Sequence, residues 1–332
     1  MVLDRTSLLQ AIAATITDYR AADARAGIIP QPTSDHVDRW IGQFDASVQM
    51  DMLQELNHVL NKTYVSEATV TSFLEGLSTN INLAGTNPRD FWKSANFLDI
   101  QGGGKSQTEM LALFSDTLSK SFGFTTAQCG SQGGPFVYLD DAIFTGNRVR
   151  NDVVNWLPKA PSPATLQVIV IAFHRGGQWY ADREIVKAWR AANKVLNIKW
   201  WRAVELEDRK AHIVDADVLR PKSVPADPAV EKYVKSLKYP PILRTGTKLG
   251  QAGVFATETG RCLLEQELLK AGVRIRQQSP LLVQYQRPLG NMVLETLGFG
   301  STLVTFRNCP NNCPLAFWAG DPWYPLFPRK TN

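Results

Sequence analysis

Phe136-Val137-Tyr138-Leu139-Asp140-Asp141-Ala142-Ile143-Phe144-Thr145-Gly146-Asn147-Arg148 is the stretch that decides the fold. An apolar run delivers two carboxylates, a Thr-Gly pair makes a turn, and an amphipathic segment follows over 147–157. In an open α/β sheet ligands sit at the C-terminal ends of the strands, which is where Asp140 and Asp141 fall. The turn opens a helix whose unpaired N–H groups and positive dipole end attract anions. Carboxylates accept hydrogen bonds from sugar hydroxyls or hold Mg²⁺ directly or through water. The Thr145 hydroxyl and the backbone of Gly146, Asn147 and Arg148 suit a phosphate, and Gly146 permits close approach of the backbone. Together these pieces describe a sugar phosphate lying across a strand end, although an Asp-Asp pair before a helix can also simply cap it or face solvent.

Outward from this stretch the pattern repeats. Short apolar runs predict strands at 97–100, 136–139, 166–173 and 198–204, with helices at 107–121, 147–157 and 182–195 between them. The nearly unbroken apolar run 166–173 suits a central strand covered on both faces. The expected fold is therefore α/β: a parallel sheet flanked by helices, with an N-terminal helical region. That region is expected over 1–90, with Leu8, Leu9, Ile12, Ala13 and Ile16 on one face after Ser7 as cap, and further helices around 37–44, 53–60 and 65–77. The α/β domain is expected over 91–332. It is interrupted by an irregular insertion near 208–257, where five prolines fall between Pro221 and Pro241. A helix over 258–270, ended by Gly272, follows.

Composition bounds the function classes. The 332 residues, 44% hydrophobic and 20% charged, suit a globular chain that folds without staples. No run reaches the roughly 20 apolar residues of a membrane span, and the first residues lack a signal-peptide layout, so the cytoplasm is expected. Cys309 and Cys313 are near neighbours, but the four histidines are scattered, so reduced buried thiols are expected rather than zinc. The net charge of +5, from 36 basic against 31 acidic residues, permits an anionic ligand without demanding one.

The run Leu139 to Gly146 resembles the phosphoribosyl pyrophosphate signature of type I phosphoribosyltransferases. The resemblance implies that Asp140 and Asp141 face the ribose hydroxyls, with Mg²⁺ as cofactor, and that Thr145, Gly146, Asn147 and Arg148 hold the 5′-phosphate. At Asn147-Arg148 the chain departs from many relatives, which carry a small residue and then Thr or Ser. Two terminal segments, Arg39-Trp40-Ile41-Gly42-Gln43-Phe44 and 306–327 with Trp323-Tyr324-Pro325-Leu326-Phe327, are similar to a bacterial phosphoribosyltransferase-like branch of conflict and antiphage systems. That resemblance implies an effector with a defence-system partner, such as the reverse transcriptase of a retron with its nucleic acid.

Further candidates lie at other strand ends. Gln101-Gly102-Gly103-Gly104-Lys105-Ser106 resembles the end of a P-loop, but position 99, where the first glycine belongs, is Asp99. As the loop after the first core strand it sits where phosphoribosyltransferases bind pyrophosphate, and Lys105 supplies a charge; a flexible glycine turn is the alternative. His174-Arg175-Gly176-Gly177 follows the central strand, so Arg175 is a candidate for a second phosphate and His174 for an acid or base or a satisfied strand-end histidine. Arg261 and Glu265 suggest solvated charges or local pairs, and the Trp-rich tail suggests packing. The expected activity is transfer or cleavage at ribose C1. A nucleotide-sensing or partner-docking module is the chief alternative, and nucleic-acid binding through Arg148, Arg150, Lys187 and Arg190 is the third.

Overall fold

The computed structural model describes residues 3–131, 133–294 and 296–329. Two compact units divide it: Ala68–Leu206, and a second made of Met1–Glu67 with Glu207–Asn332. The sequence reading drew its boundary at 90/91, whereas this division by contact falls at 67/68 and 206/207.

The first unit carries a parallel sheet. Its strands are β1 (Asn96–Leu98), β2 (Phe136–Ile143), β3 (Ala164–His174), β4 (Leu196–Trp201) and β5 (Val204–Leu206). They lie in the order β1-β2-β3-β4, and β5 pairs with the far end of β3. The register sets Asp140 opposite Val170 and Ile143 opposite Phe173. β4 covers β3 from Ala164 to Ile169 and β5 covers it from Ala172 to His174. Arg202 and Ala203 interrupt that edge, where the Ala203 N–H still donates to the Ile171 carbonyl at 3.0 Å. β3 is buried along nearly its whole length, as its apolar run predicts.

Three helices flank the sheet: α1 (Ser106–Phe122), α2 (Asn147–Trp156) and α3 (Arg175–Ala191). Val149, Val153, Ile185 and Trp189 from α2 and α3 pack with Tyr138, Val168 and Val170 from the strands. Burying each such aliphatic side chain contributes about 1.5–3 kcal/mol, which makes this layer the main source of local stability. α3 begins seven residues earlier than its sequence-based start at 182, because Gly176 and Gly177 sit inside its first turn instead of breaking it. Gly177 is there for space: a Cβ would lie 1.8 Å from the Phe144 carbonyl oxygen.

The second unit is mainly helical, with Arg5–Thr15, Ser34–Ile41, Gln49–Thr63 and the long α4 (Glu258–Gln278). The first helix is capped by Asp4, whose carboxylate accepts from the Ser7 N–H at 2.7 Å, so the cap lies three residues before the expected Ser7. α4 runs through Gly272, because that glycine admits the Pro288 backbone, whose carbonyl oxygen would lie 2.5 Å from an added Cβ. The stretch after 207 is irregular as expected, holding a 3-10 turn at Lys210–Asp215 and one short helix at Pro228–Lys235.

The two terminal segments singled out in the sequence meet inside this unit. Trp40 Nε1 donates to the Ala316 carbonyl at 2.8 Å, and Gln43 and Tyr324 exchange two hydrogen bonds of 2.8 Å. Phe44 packs edge-on against Trp323, centroids 5.5 Å apart. The tail aromatics are therefore core, with Trp318 and Trp323 buried. Cys309 and Cys313 are buried free thiols. No described helix is long and apolar enough to cross a membrane.

Candidate functional site

The pleat of β2 turns alternate residues to opposite faces, so Tyr138 and Asp140 share one face and Asp141 lies on the other. Asp140 is 3% exposed. Its Oδ1 accepts from the Asp141 N–H at 2.9 Å, and its Oδ2 lies 3.3 Å from both Gln101 Nε2 and the Tyr138 hydroxyl. That hydroxyl also lies 2.9 Å from Asp152 Oδ2 on α2. One phenolic proton thus bridges two buried carboxylates. Burial and then the neighbouring Asp141 push the Asp140 carboxyl up to about 7, while burial raises the Tyr138 phenol and keeps it a donor. Among the described residues, no basic side chain forms an ion pair with Asp140 or Asp152. Asp141 is only partly buried, and its Oδ1 accepts from the Ala142 N–H at 2.7 Å. The acidic pair is therefore one buried and one partly buried side chain, on opposite faces of β2.

The glycine loop after β1 is tied to the same strand end. Gln107, wholly buried, accepts from the N–H groups of Ile100 (2.6 Å) and Gln101 (3.0 Å). Gln101 bridges Ser106 and Asp140, and the Gly102 N–H reaches Asp152 Oδ1 at 3.4 Å. Arg148 donates to the Gly103 carbonyl at 2.6 Å. This bond sets the first turn of α2 beside the loop that carries Lys105, which is exposed at the start of α1.

Gly146 stands at the head of α2 with φ 77°, in the left-handed region that glycine enters without strain, and it has no side chain with which to cap the helix. A Cβ there would lie 2.1 Å from the Gly177 carbonyl oxygen. Thr145 is partly buried, and Asn147 and Arg148 are exposed. The sequence-derived candidates Asp140, Asp141, Thr145 to Arg148 and the 101–106 loop thus lie at one strand end.

Arg175 and His174 are placed differently. Arg175 begins α3 and forms an ion pair with Glu205 on β5, which also pairs with Arg202. Although burial raises Glu205, its bonds to Arg202 and Arg175 outweigh that and hold it below the ordinary carboxylate value. His174 is fully buried, with Nδ1 3.2 Å from the Ile143 carbonyl, and burial lowers it to about 4, so it stands neutral at the strand end.

A family model described as PRTase-CE matches residues 37–329. The chain belongs to the PRTase-CE family. The match runs through both compact units and includes both terminal segments, and with the mostly parallel sheet it makes this PRTase-CE chain phosphoribosyltransferase-like. Searches of curated proteins and of solved structures gave no significant match.

Sequence reasoning missed Tyr138 and Asp152 in this PRTase-CE site, and it named Gln101 as a member of the glycine loop without the bond to Asp140. Two signals were present. Tyr138 precedes Asp140 by two residues and so shares its face, and Asp152 interrupts the otherwise apolar stripe Val149, Val153 and Trp156 of α2.

Proposed function

We propose that the C-terminal end of β2 binds a phosphorylated ribose and that the protein acts on it at ribose C1. The observation that carries this reading is the asymmetry of the acidic pair beside an anion-seeking helix start. Asp141 is partly exposed at the strand end, Asp140 is buried on the other face of β2, and α2 opens after them at a glycine. Asp141, supported by Asp140, orients the ribose hydroxyls. The Thr145 hydroxyl and the N–H groups of Gly146, Asn147 and Arg148 hold the 5′-phosphate. Lys105 neutralises the departing pyrophosphate or base, since charge develops on both the sugar and the leaving group as the C1 bond breaks. Arg175 serves as a second cation only by exchanging Glu205 for the ligand.

Mg²⁺ fits this donor set. The described residues contain no group of three or more His, Cys, Asp or Glu side chains placed to hold a metal, but Mg²⁺ commonly uses one or two carboxylates and completes its octahedron with water and substrate phosphates. Asp141 would hold it, directly or through water, with Asp140 behind, and the ion would screen the phosphates at the site. The role of effector in an antiphage system, working with a defence-system protein partner, belongs to the same reading and is supported by the resemblance of the two terminal segments.

Incubation of the purified chain with Mg²⁺, phosphoribosyl pyrophosphate and a panel of nucleotides, followed by chromatography and mass spectrometry, tests the chemistry. Turnover is expected, and its loss in Asp141→Asn. Ligand bound without turnover under all conditions would replace the enzyme by a nucleotide-sensing module.

A further inference from the structure

Helix α3 shows solvent an aromatic ring and a row of cations. Between Arg175 and Arg190 its exposed residues are Trp179, Arg183, Lys187 and Arg190. Spacings of four, four and three put them on one face, opposite Ala181, Ile185 and Trp189, which are buried in the core. With Asp182 and Val186 they line a shallow groove along the helix. Trp179 is 53% exposed, an unusual position for so large an apolar ring. The Arg183 guanidinium lies over that ring, 4.5 Å from its centroid, and steadies it.

Charge in the groove is positive and partly uncommitted. Asp182 accepts from Trp200 Nε1 at 2.8 Å, and Glu184 pairs with Arg183 at 2.8 Å. Among the described residues, Lys187 and Arg190 form no ion pair. At 1.5 Å per residue the row from Trp179 to Arg190 spans about 16 Å, the reach of a few nucleotides.

We propose that this face of α3 binds single-stranded nucleic acid, with a base stacked on Trp179 and successive phosphates on Arg183, Lys187 and Arg190. A stacking platform beside a track of cations is what a flexible polyanion with flat bases recognises. A duplex keeps its bases inside its own stack and leaves the ring unused. An acidic peptide matches the charge but has no flat group that needs the exposed indole. The proposal stands apart from the phosphoribosyl site: it rests on different residues, and either can fail alone.

Fluorescence anisotropy of labelled oligothymidylate with the full chain, between about 50 and 200 mM salt, tests it. Three phosphate contacts on a single strand predict a slope of log affinity against log salt of about −2. Lys187→Ala with Arg190→Ala should make the slope shallower by about 1.4. Trp179→Ala should weaken binding by about tenfold, while Trp179→Phe retains most of it. All four positions are exposed, and thermal melts establish that the variants fold. The proposal is overturned by absent binding at low salt, by variants that bind as the parent does, or by a duplex that binds equally well through the same residues. Polyglutamate that displaces the oligonucleotide as effectively as unlabelled oligothymidylate would overturn it in favour of an acidic protein partner.

Discussion

Each compact unit buries a cluster of charged side chains, and the two clusters are balanced in opposite ways. In the helical unit Glu265 is wholly buried between Arg261, at 2.8 Å, and Arg244, at 3.4 Å, and its Oε1 also accepts from the Arg220 N–H at 3.0 Å. Arg244 spends its other donors on the carbonyls of Ala216 and Val218 at 2.9 and 2.8 Å. Burial pushes Glu265 up to about 7 while the two guanidiniums pull it down, so attraction and desolvation oppose each other within one enclosed set. In the sheet unit, Asp140, Asp152 and Tyr138 bring two carboxyl groups and a phenol together, with no paired cation among the described residues. The first cluster sets two guanidiniums against one carboxyl group inside the helical unit; the second sets two carboxyl groups and a phenol at the open end of a strand. Buried charge by itself is therefore a poor sign of function, and two carboxyl groups brought together at a strand end are a better one.

Breaking the arginine-rich cluster should have the largest effect. Glu265→Ala leaves two buried guanidiniums without their carboxylate and should cost about 3–5 kcal/mol in chemical denaturation. An unchanged midpoint would mean that the cluster is solvated and the contrast misconceived. Next comes the packing that shapes the open cluster's neighbourhood. Gly177→Ala forces apart the Phe144 carbonyl and α3 and should cost about 1–3 kcal/mol, with loss of any phosphate affinity at Thr145 to Arg148.

The pH dependence of stability sharpens the comparison. The folded value of Asp140 is raised to about 7, so the folded state holds a proton that the unfolded state has released. Its contribution is full below the unfolded carboxylate value of about 3.9 and is lost as pH rises through about 7. Asp140→Asn removes this loss. Denaturation followed from pH 4 to 8 should therefore show the variant gaining stability relative to the parent as pH rises; a constant difference would show that Asp140 titrates normally. The smallest effect expected is that of Tyr138→Phe. Removing the shared proton donor should cost about 1–2 kcal/mol and drive the Asp140 transition to still higher pH.

Much of the sheet and of its strand end was legible in the sequence, for a physical reason. Strand periodicity and the Asp140-Asp141-Thr145-Gly146 spacing are local, and local patterns survive into the fold: β2, β3, α1 and α2 lie within a few residues of where the apolar runs put them. Glycines were misleading when their reason was distant. Gly176, Gly177 and Gly272 resemble breakers, but Gly177 and Gly272 admit backbone from Phe144 and Pro288, which no local pattern announces. Partners far apart in sequence were hidden in the same way. Arg261 and Glu265 suggested solvated charges or local pairs; they are a local pair, but a buried one, and only the fold closes Arg244 and Arg220 around them. Arg175 suggested a ligand cation, and only the sheet supplies Glu205.

The central claim is that the C-terminal end of β2 binds a phosphorylated ribose through Asp141. Isothermal titration calorimetry of phosphoribosyl pyrophosphate with Mg²⁺ into the full chain, and into Asp141→Asn, tests it most directly. The account predicts saturable binding that the substitution weakens by about tenfold or more, the worth of a lost charge-assisted hydrogen bond. Binding that is absent from the parent, or equal in both, would contradict it.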